Sequence, residues 1–359
     1  MINVSEKLEQ LGLDPWFASR LDTQKLNQFQ LARITRVNKD NYVIHTEHET
    51  CLAKIPSQSK FNAQSALDYP TVGDWVYVSY LDNDDIVFID SVIPRKTYLK
   101  RKSAGKRAEA QLIAANIDTA FIMQSINLDY NLKRLERYLV ITRSGNIRPV
   151  VLLSKIDLLP EEIVQEKIYE IQSMIPDITV LTFSNVTQVG LTHIKELLGI
   201  GETFCLLGSS GVGKTTLLNN LLGEAVFKTQ SIREKDSKGR HTTTHRQLNV
   251  LANHALLIDT PGMRELSIVG DEEGIDETFD DLQELALSCR YTNCGHTVEN
   301  NCAILAAVEG GDISEEHYQN YLKIQKEAAR NERSYYENRQ KSRKFSKMVK
   351  SVVRGKRKR

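Results

Sequence analysis

The stretch "GSSGVGKTT" (residues 208–216) follows an apolar run, "ETFCLL", and leads into "TTLLNNLLG", whose spacing is helical. It fits G-x-x-x-x-G-K-[ST], a glycine-rich loop whose main-chain N–H groups close around phosphate oxygens. The helix that follows adds the positive end of its dipole. The expected phosphate site is therefore Gly208, Ser209, Ser210, Gly211, Val212, Gly213, Lys214, Thr215 and Thr216. Lys214 is expected to reach the β- and γ-phosphates and Thr215 to bind Mg2+ through its hydroxyl.

Downstream, "ALLIDTPG" (255–262) reads as a strand ending in Asp259, placed to hold the Mg2+ shell, with Gly262 offering its N–H to a γ-phosphate. Between the two lies "KGRHTTTH" (238–245). A threonine that closes over Mg2+ only when the γ-phosphate is present is how nucleotide switches sense hydrolysis. By its position this run is a switch.

Upstream, "LLSKIDLL" (152–159) supplies a base-reading loop of Ser154, Lys155, Ile156 and Asp157. A carboxylate at 157 accepts the guanine N1–H and exocyclic amine, whereas adenine leaves it buried and unpaired. Lys155 lays its aliphatic stem over the base. The usual motif is N-K-x-D, and Ser154 stands where asparagine is usual, with a shorter reach. "FSNVTQVGL" (183–191) offers a second base loop around Ser184 and Asn185. The order along the chain is thus base loop, second base loop, phosphate loop, threonine switch, DTPG, which is a GTPase sheet with its ends moved. Such a circular permutation is tolerated where the original termini lay close together. Whatever follows DTPG is attached to the element that moves on hydrolysis.

The 359 residues allow two or three cores. No run approaches the ~18 apolar residues of a membrane span, and "MINVSEKLEQLGLDPWF" lacks a secretory plan, so a cytoplasmic protein is expected. The net charge of +1 conceals an asymmetry. The last nineteen residues carry ten Lys or Arg and no acid, and "RKTYLKRKSAGKR" (95–107) carries seven in thirteen. Two such blocks point to a polyanion, of which nucleic acid is the commonest.

Residues 1–28 read as a short helical lead-in. Five runs then alternate as strands, "LARITRV", "NYVIHT", "TCLAKI", "GDWVYVSYL" and "DIVFIDSVI". Together they predict a small barrel of the oligonucleotide-binding (OB) type, although an SH3-like barrel gives much the same pattern. From "IDTAFIMQS" onward, strands alternate with helices as in a parallel sheet covered by helices. The expected fold class is multidomain α/β. It comprises a helical lead-in and OB-fold barrel (1–94), a basic linker (95–110), a permuted P-loop GTPase domain (111–270) and a helical zinc-binding domain with a basic tail (271–359).

That last domain contains "CRYTNCGHTVENNC". Cys289, Cys294, His296 and Cys302 give C-x4-C-x-H-x5-C, a closed three-thiolate, one-imidazole set of the structural zinc type. An odd total of five cysteines argues against a disulfide framework. Further on, Tyr335 and Tyr336 beside Arg333 can stack on bases or simply face solvent on a helix.

The combination of barrel, permuted motif order, GSSGVGKT, GRHTTT, DTPG and the cysteine–histidine spacing resembles the RsgA (YjeQ) family of circularly permuted GTPases. The match runs over essentially the whole chain. The resemblance implies GTP binding and hydrolysis with Mg2+, one structural zinc, and binding to the small (30S) ribosomal subunit and its 16S rRNA during late maturation. It also implies release of an assembly factor, ribosome-binding factor A; the chain is expected to act as a monomer. Met263 follows DTPG where Ras-like enzymes carry a water-orienting glutamine. The resemblance points instead to His241 of GRHTTT as the water-positioning residue, with His245 close by. Hydrolysis is expected to be slow alone and stimulated by the subunit. Two other classes stand against this reading: an ATP-dependent phosphoryl-transfer enzyme, and an RNA-binding module with a structural nucleotide.

Overall fold

The computed structural model describes residues 5–56, 65–80, 86–102, 110–127, 129–223, 246–259, 268 and 271–332. Each of the five alternating runs is a strand: β1 Gln30–Val37, β2 Tyr42–Thr46, β3 Thr50–Lys54, β4 Trp75–Tyr80 and β5 Ile86–Val92. They pair in the order β1-β2-β3-β5-β4, and β4 closes on β1. The pair β3–β5 is parallel and the others antiparallel. This is the Greek-key closure of an OB barrel.

Period-two alternation explains why β4 is buried on both faces from Trp75 to Val78. Val76 and Val78 point into the barrel with Ile34, Ile44 and Ile89. Trp75 and Tyr77 point outward, where Leu8, Leu13, Phe17 and Leu21 of the lead-in cover them. Asp14 and Asp22 start two of the short lead-in helices by accepting main-chain N–H groups.

Residues 95–107, expected to link barrel and GTPase domain, contain β6 (Tyr98–Lys102), which forms a hairpin with β7 (Ala110–Ala115). The sequence reading missed β7 because "AQLIAA" is alanine-rich and lies beside a charge run.

The parallel sheet follows as read: β8 Thr119–Ser125, β9 Arg148–Ser154, β10 Thr179–Phe183, β11 Thr203–Gly208 and β13 Leu256–Asp259, in the order β10-β9-β8-β11-β13. β12 (Gln247–Val250), only four residues after the threonine run, two of them polar, was not anticipated. It lies antiparallel to β13 and pairs once with the barrel, Arg36 opposite Gln247, so the two sheets are continuous.

Both faces of this sheet are covered. Phe121, Met123, Phe204 and Leu206 meet helices Leu191–Glu196 and Lys214–Leu222 on one side. Ile122, Val151, Leu153, Cys205 and Leu207 meet helices Leu132–Arg143 and Glu161–Met174 on the other. That second core runs on into Phe279, Leu282, Ile304 and Tyr321 of the C-terminal helices. Helix Glu272–Thr278 crosses helix Leu132–Arg143 at Gly274, where a Cβ would lie 2.3 Å from the Val140 carbonyl oxygen.

Two buried charges fasten these parts together. Arg33, on β1, is 1% exposed. It donates to the Gly73 and Asn116 carbonyls (3.3 and 3.1 Å), to Thr203 Oγ1 (2.8 Å) and to the Leu11 carbonyl, so one guanidinium binds barrel, lead-in and GTPase sheet. Burial lowers its pKa to about 10 against the opposing pull of Asp118, Asp74 and Asp14, and it stays charged at neutral pH. His317, on the last helix, lies between Glu136 of helix Leu132–Arg143 and Asp281 (3.2 Å from Nε2), with the Phe279 ring 4.9 Å away. Burial alone would lower the imidazole pKa; hydrogen bonds to and charges of Asp281 and Glu136 outweigh it and raise it to about 9.

A raised folded-state pKa stabilises the protein fully below the unfolded value near 6.5, and that contribution is lost as pH rises through about 9. The gap in urea midpoint between wild type and His317→Gln should therefore be widest near pH 6 and shrink toward pH 10. A gap constant across that range would rule out the charged bridge.

Candidate nucleotide site and metal centre

The parallel register places the carboxyl ends of the strands in one row. Ser154, the last residue of β9, pairs with Ser125 of β8 and Phe183 of β10. Gly208, the last of β11, pairs with Met123 of β8. The loops after β9, β10 and β11 therefore open on one edge, the edge where such sheets bind ligands.

The phosphate loop has the conformation that its glycines allow. Gly208 (φ +143°) and Gly213 (φ +101°) sit where side chains are rarely tolerated. A Cβ at 208 would lie 2.3 Å from the Met123 carbonyl oxygen, and one at 213 would lie 2.7 Å from Asn185 Nδ2. Helix Lys214–Leu222 begins directly after, aiming its first N–H groups at the loop mouth. Lys214 Nζ donates to the Gly208 carbonyl at 2.7 Å and also to the Ser209 carbonyl, so the ammonium lies across the loop. Val212 is buried beneath it, while Ser210 and Thr215 are exposed.

The base loop meets this loop directly. Ser154 is fully buried, and its hydroxyl donates to the Val212 carbonyl at 2.7 Å, with the Gln124 carbonyl at 3.3 Å. Serine's shorter reach is therefore enough for the tie between loops. Lys155 adopts a left-handed backbone (φ +63°) and opens the short 3-10 turn Ile156–Leu158, which leaves Asp157 exposed at the end of β9.

The second base loop is tied to the same place. Asn185 Nδ2 donates to the Gly213 carbonyl (3.1 Å), and Asn220 Nδ2 donates to Asn185 Oδ1 (3.0 Å). Ser184 accepts the Val186 and Thr187 N–H groups, both at 3.1 Å, and so shapes the turn. Sequence reasoning missed Asn220; the Asn-Asn pair within the helix after the loop was the available signal. Asp259 ends β13 beside β11. His241, His245, the rest of the threonine run, Gly262 and Met263 lie outside the described residues, as do Arg333, Tyr335, Tyr336 and the basic tail.

In the C-terminal segment the four cysteine and histidine ligand atoms lie within 4.8 Å of one another. Cys289 Sγ is 3.8 Å from Cys302 Sγ, and His296 Nδ1 is 3.6 and 3.5 Å from those two sulfurs. Tetrahedral Zn–S and Zn–N bonds of normal length put ligand atoms about 3.8 Å (S to S) and about 3.6 Å (S to N) apart. The donor set and its spacing fit zinc. Glu299 holds the intervening loop by accepting the Gly295, Thr297 and Val298 N–H groups at 2.8–3.0 Å, which lowers its carboxyl pKa to about 2. The Tyr318 hydroxyl donates to the His296 carbonyl, fastening the site to the last helix.

A guanine-type loop and a phosphate loop tied across a parallel sheet, in reversed chain order, define a circularly permuted GTP-binding domain. Comparison with known proteins agrees. A family model described as RsgA GTPase matches residues 92–269. An ABC transporter model also matches residues 191–359, a span containing the phosphate loop that many nucleotide-binding folds share. A Vibrio parahaemolyticus protein named Small ribosomal subunit biogenesis GTPase RsgA 2 is 38% identical over 359 residues, 100% of this chain and 96% of that one. A Listeria monocytogenes protein named Small ribosomal subunit biogenesis GTPase RsgA 1 is 40% identical over 90% of this chain and 89% of its own. Among solved structures, YjeQ from Thermotoga maritima superposes with a TM-score of 0.61 at 24% identity, covering 82% of this chain and 97% of that one. YloQ, titled a circularly permuted GTPase, gives 0.60 at 22% over 85% and 96%. The chain belongs to the RsgA GTPase family and is a GTP hydrolase.

Removing the Ser154 hydroxyl leaves the buried Val212 carbonyl unpaired, at a cost of about 1–3 kcal/mol. Ser154→Ala should therefore weaken GDP binding roughly tenfold, as read by titration with a fluorescent analogue; unchanged affinity would show that the tie is idle. Because the cysteine cluster packs on the GTPase core, withdrawing zinc should lower the melting temperature of the whole chain, not of a detached segment. Purified protein that yields no zinc to a colorimetric chelator on unfolding would contradict the assignment.

Proposed function

We propose that this protein hydrolyses GTP while bound to the small ribosomal subunit during its late maturation, slowly alone and faster when docked. The observation that carries the nucleotide part is the 2.7 Å bond from Ser154 to Val212, which makes base loop and phosphate loop one site. The ribosomal part is supported by the names of the Vibrio and Listeria relatives, by the OB barrel and by two basic runs. It places the protein in the cytoplasm, as a monomer contacting 16S rRNA and releasing ribosome-binding factor A.

In this reading, Asp157 pairs with the guanine edge and Lys155 covers the base. The loop from Gly208 to Thr216 wraps the phosphates, and Lys214 swings from its carbonyl partners onto the β/γ oxygens. Thr215 and Asp259 hold Mg2+, which supplies charge neutralisation at the phosphates. Gly262 contacts the γ-phosphate. A water attacks the γ-phosphorus, the bond to the β–γ bridging oxygen breaks, and GDP and phosphate leave. His241 orients that water. The chain divides into four segments, 1–94, 95–110, 111–270 and 271–359, the second being the basic run. Zinc, held by Cys289, Cys294, His296 and Cys302, keeps the last part folded.

The guanine-reading role of Asp157 predicts that excess ATP fails to displace labelled GTP. GTP turnover measured with and without isolated small subunits should differ by about a hundredfold, the scale of a positioned proton acceptor. His241→Ala should abolish most of the stimulated part. Equal turnover in both conditions sinks the proposal.

A further inference from the structure

The helix over residues 315–332 makes a contact that none of the nucleotide motifs explains. Ile268 lies nine residues beyond Asp259, on the chain leaving DTPG. Its side chain is fully buried in the core cluster that also contains Ile258 and Leu207. Its main-chain groups take their partners from the last helix: the N–H donates to Glu327 Oε1 (3.3 Å), and the carbonyl accepts from Asn331 Nδ2 (2.7 Å). Residues four apart share a helix face, so both main-chain polar groups of one residue, in the peptide units on either side of its Cα, are gripped from one side.

The grip is itself held. Glu327 receives two hydrogen bonds from Arg137 of helix Leu132–Arg143, both at 2.8 Å. Burial would raise the Glu327 carboxyl pKa, but Arg137's bonds and charge keep it below its usual range. Asn331 is buried, and Asn320 on the same helix donates to the Lys133 carbonyl and to Glu136. A buried main-chain N–H or carbonyl without a partner is costly, so Ile268 has one favourable position, set by the last helix and helix Leu132–Arg143 together.

We propose that Glu327 and Asn331 are positioning residues for GTP hydrolysis. By fixing Ile268 they fix where the DTPG segment ends, and so tie the arrangement around the γ-phosphate to the seating of the C-terminal helix. Coupling of this kind is reciprocal: whatever pulls on the helix alters nucleotide preference, and nucleotide alters the helix. The proposal rests on the family's GTPase activity and not on the ribosomal reading, so it can fail or stand without it.

The test uses the full chain at saturating GTP, with turnover counted per molecule that binds GDP, so that unfolded protein drops out. Asn331→Ala should lower kcat about tenfold while KM for GTP stays within about twofold. Asn331→Gln, which keeps the amide donor, should recover most of the loss. Reversing the ion pair, Arg137→Glu with Glu327→Arg, restores the charge attraction but not the acceptor for the Ile268 N–H, and should remain slow. Lys133→Ala removes only the exposed pair with Glu316 and should turn over normally. Normal kcat in both Asn331→Ala and the reversed pair overturns the proposal, as does a Lys133→Ala variant equally slow. If Asn331→Ala does not fold, the reversed pair and Lys133→Ala decide the matter.

Discussion

A single hydroxyl joins two loops that the chain presents in reverse order. Ser154 closes the base loop and Val212 lies in the middle of the phosphate loop, yet the bond between them is 2.7 Å and fully buried. That bond is possible only because β8 lies between β9 and β11 with all three strands parallel and in register. Cutting and rejoining a chain changes which strand follows which, but strand neighbours are chosen by hydrogen bonding and by burial of both faces. Permutation therefore leaves the edge intact, and the site with it.

Permutation does change what the site is connected to. The DTPG segment leads into the C-terminal helices, and these do not form a separate body. Phe279, Ile304 and Tyr321 share a core with Ile122 and Leu207 of the sheet, and the zinc ligands pack on that same core. Among the contacts that join the barrel to the sheet are the strand pairing of Arg36 with Gln247 and the guanidinium of Arg33. A buried guanidinium stays charged only with its donors satisfied, and here the acceptors come from three parts of the chain. Loosening any one of those parts leaves the charge short of partners.

Much of this was legible in the sequence because it is local. The five barrel strands showed as alternation, the phosphate loop as glycine spacing followed by a helical run, and the zinc set as four ligands within fourteen residues. β12 and β7 were not legible: one is only four residues long, the other alanine-rich, and each is a strand only because a neighbour offers it an edge. Arg33 was equally silent. In "LARITRV" it reads as an outward-facing polar residue on an alternating strand. It does face outward, but the lead-in and the GTPase sheet have covered that side.

The sequence by itself determined which chemistry is present and in what order: a phosphate loop, a guanine-type carboxylate, a threonine run, a metal set. Each depends on residues close together along the chain, whose geometry the backbone supplies. Only the tertiary structure decided who meets whom, namely Ser154 with Val212, Arg33 with Thr203, and Ile268 with Glu327 and Asn331. Those partners are far apart in sequence, and a serine, arginine or asparagine carries no mark of which distant carbonyl it will find. Burial makes the choice, because once water is excluded each polar group must take the partner that packing brings to it.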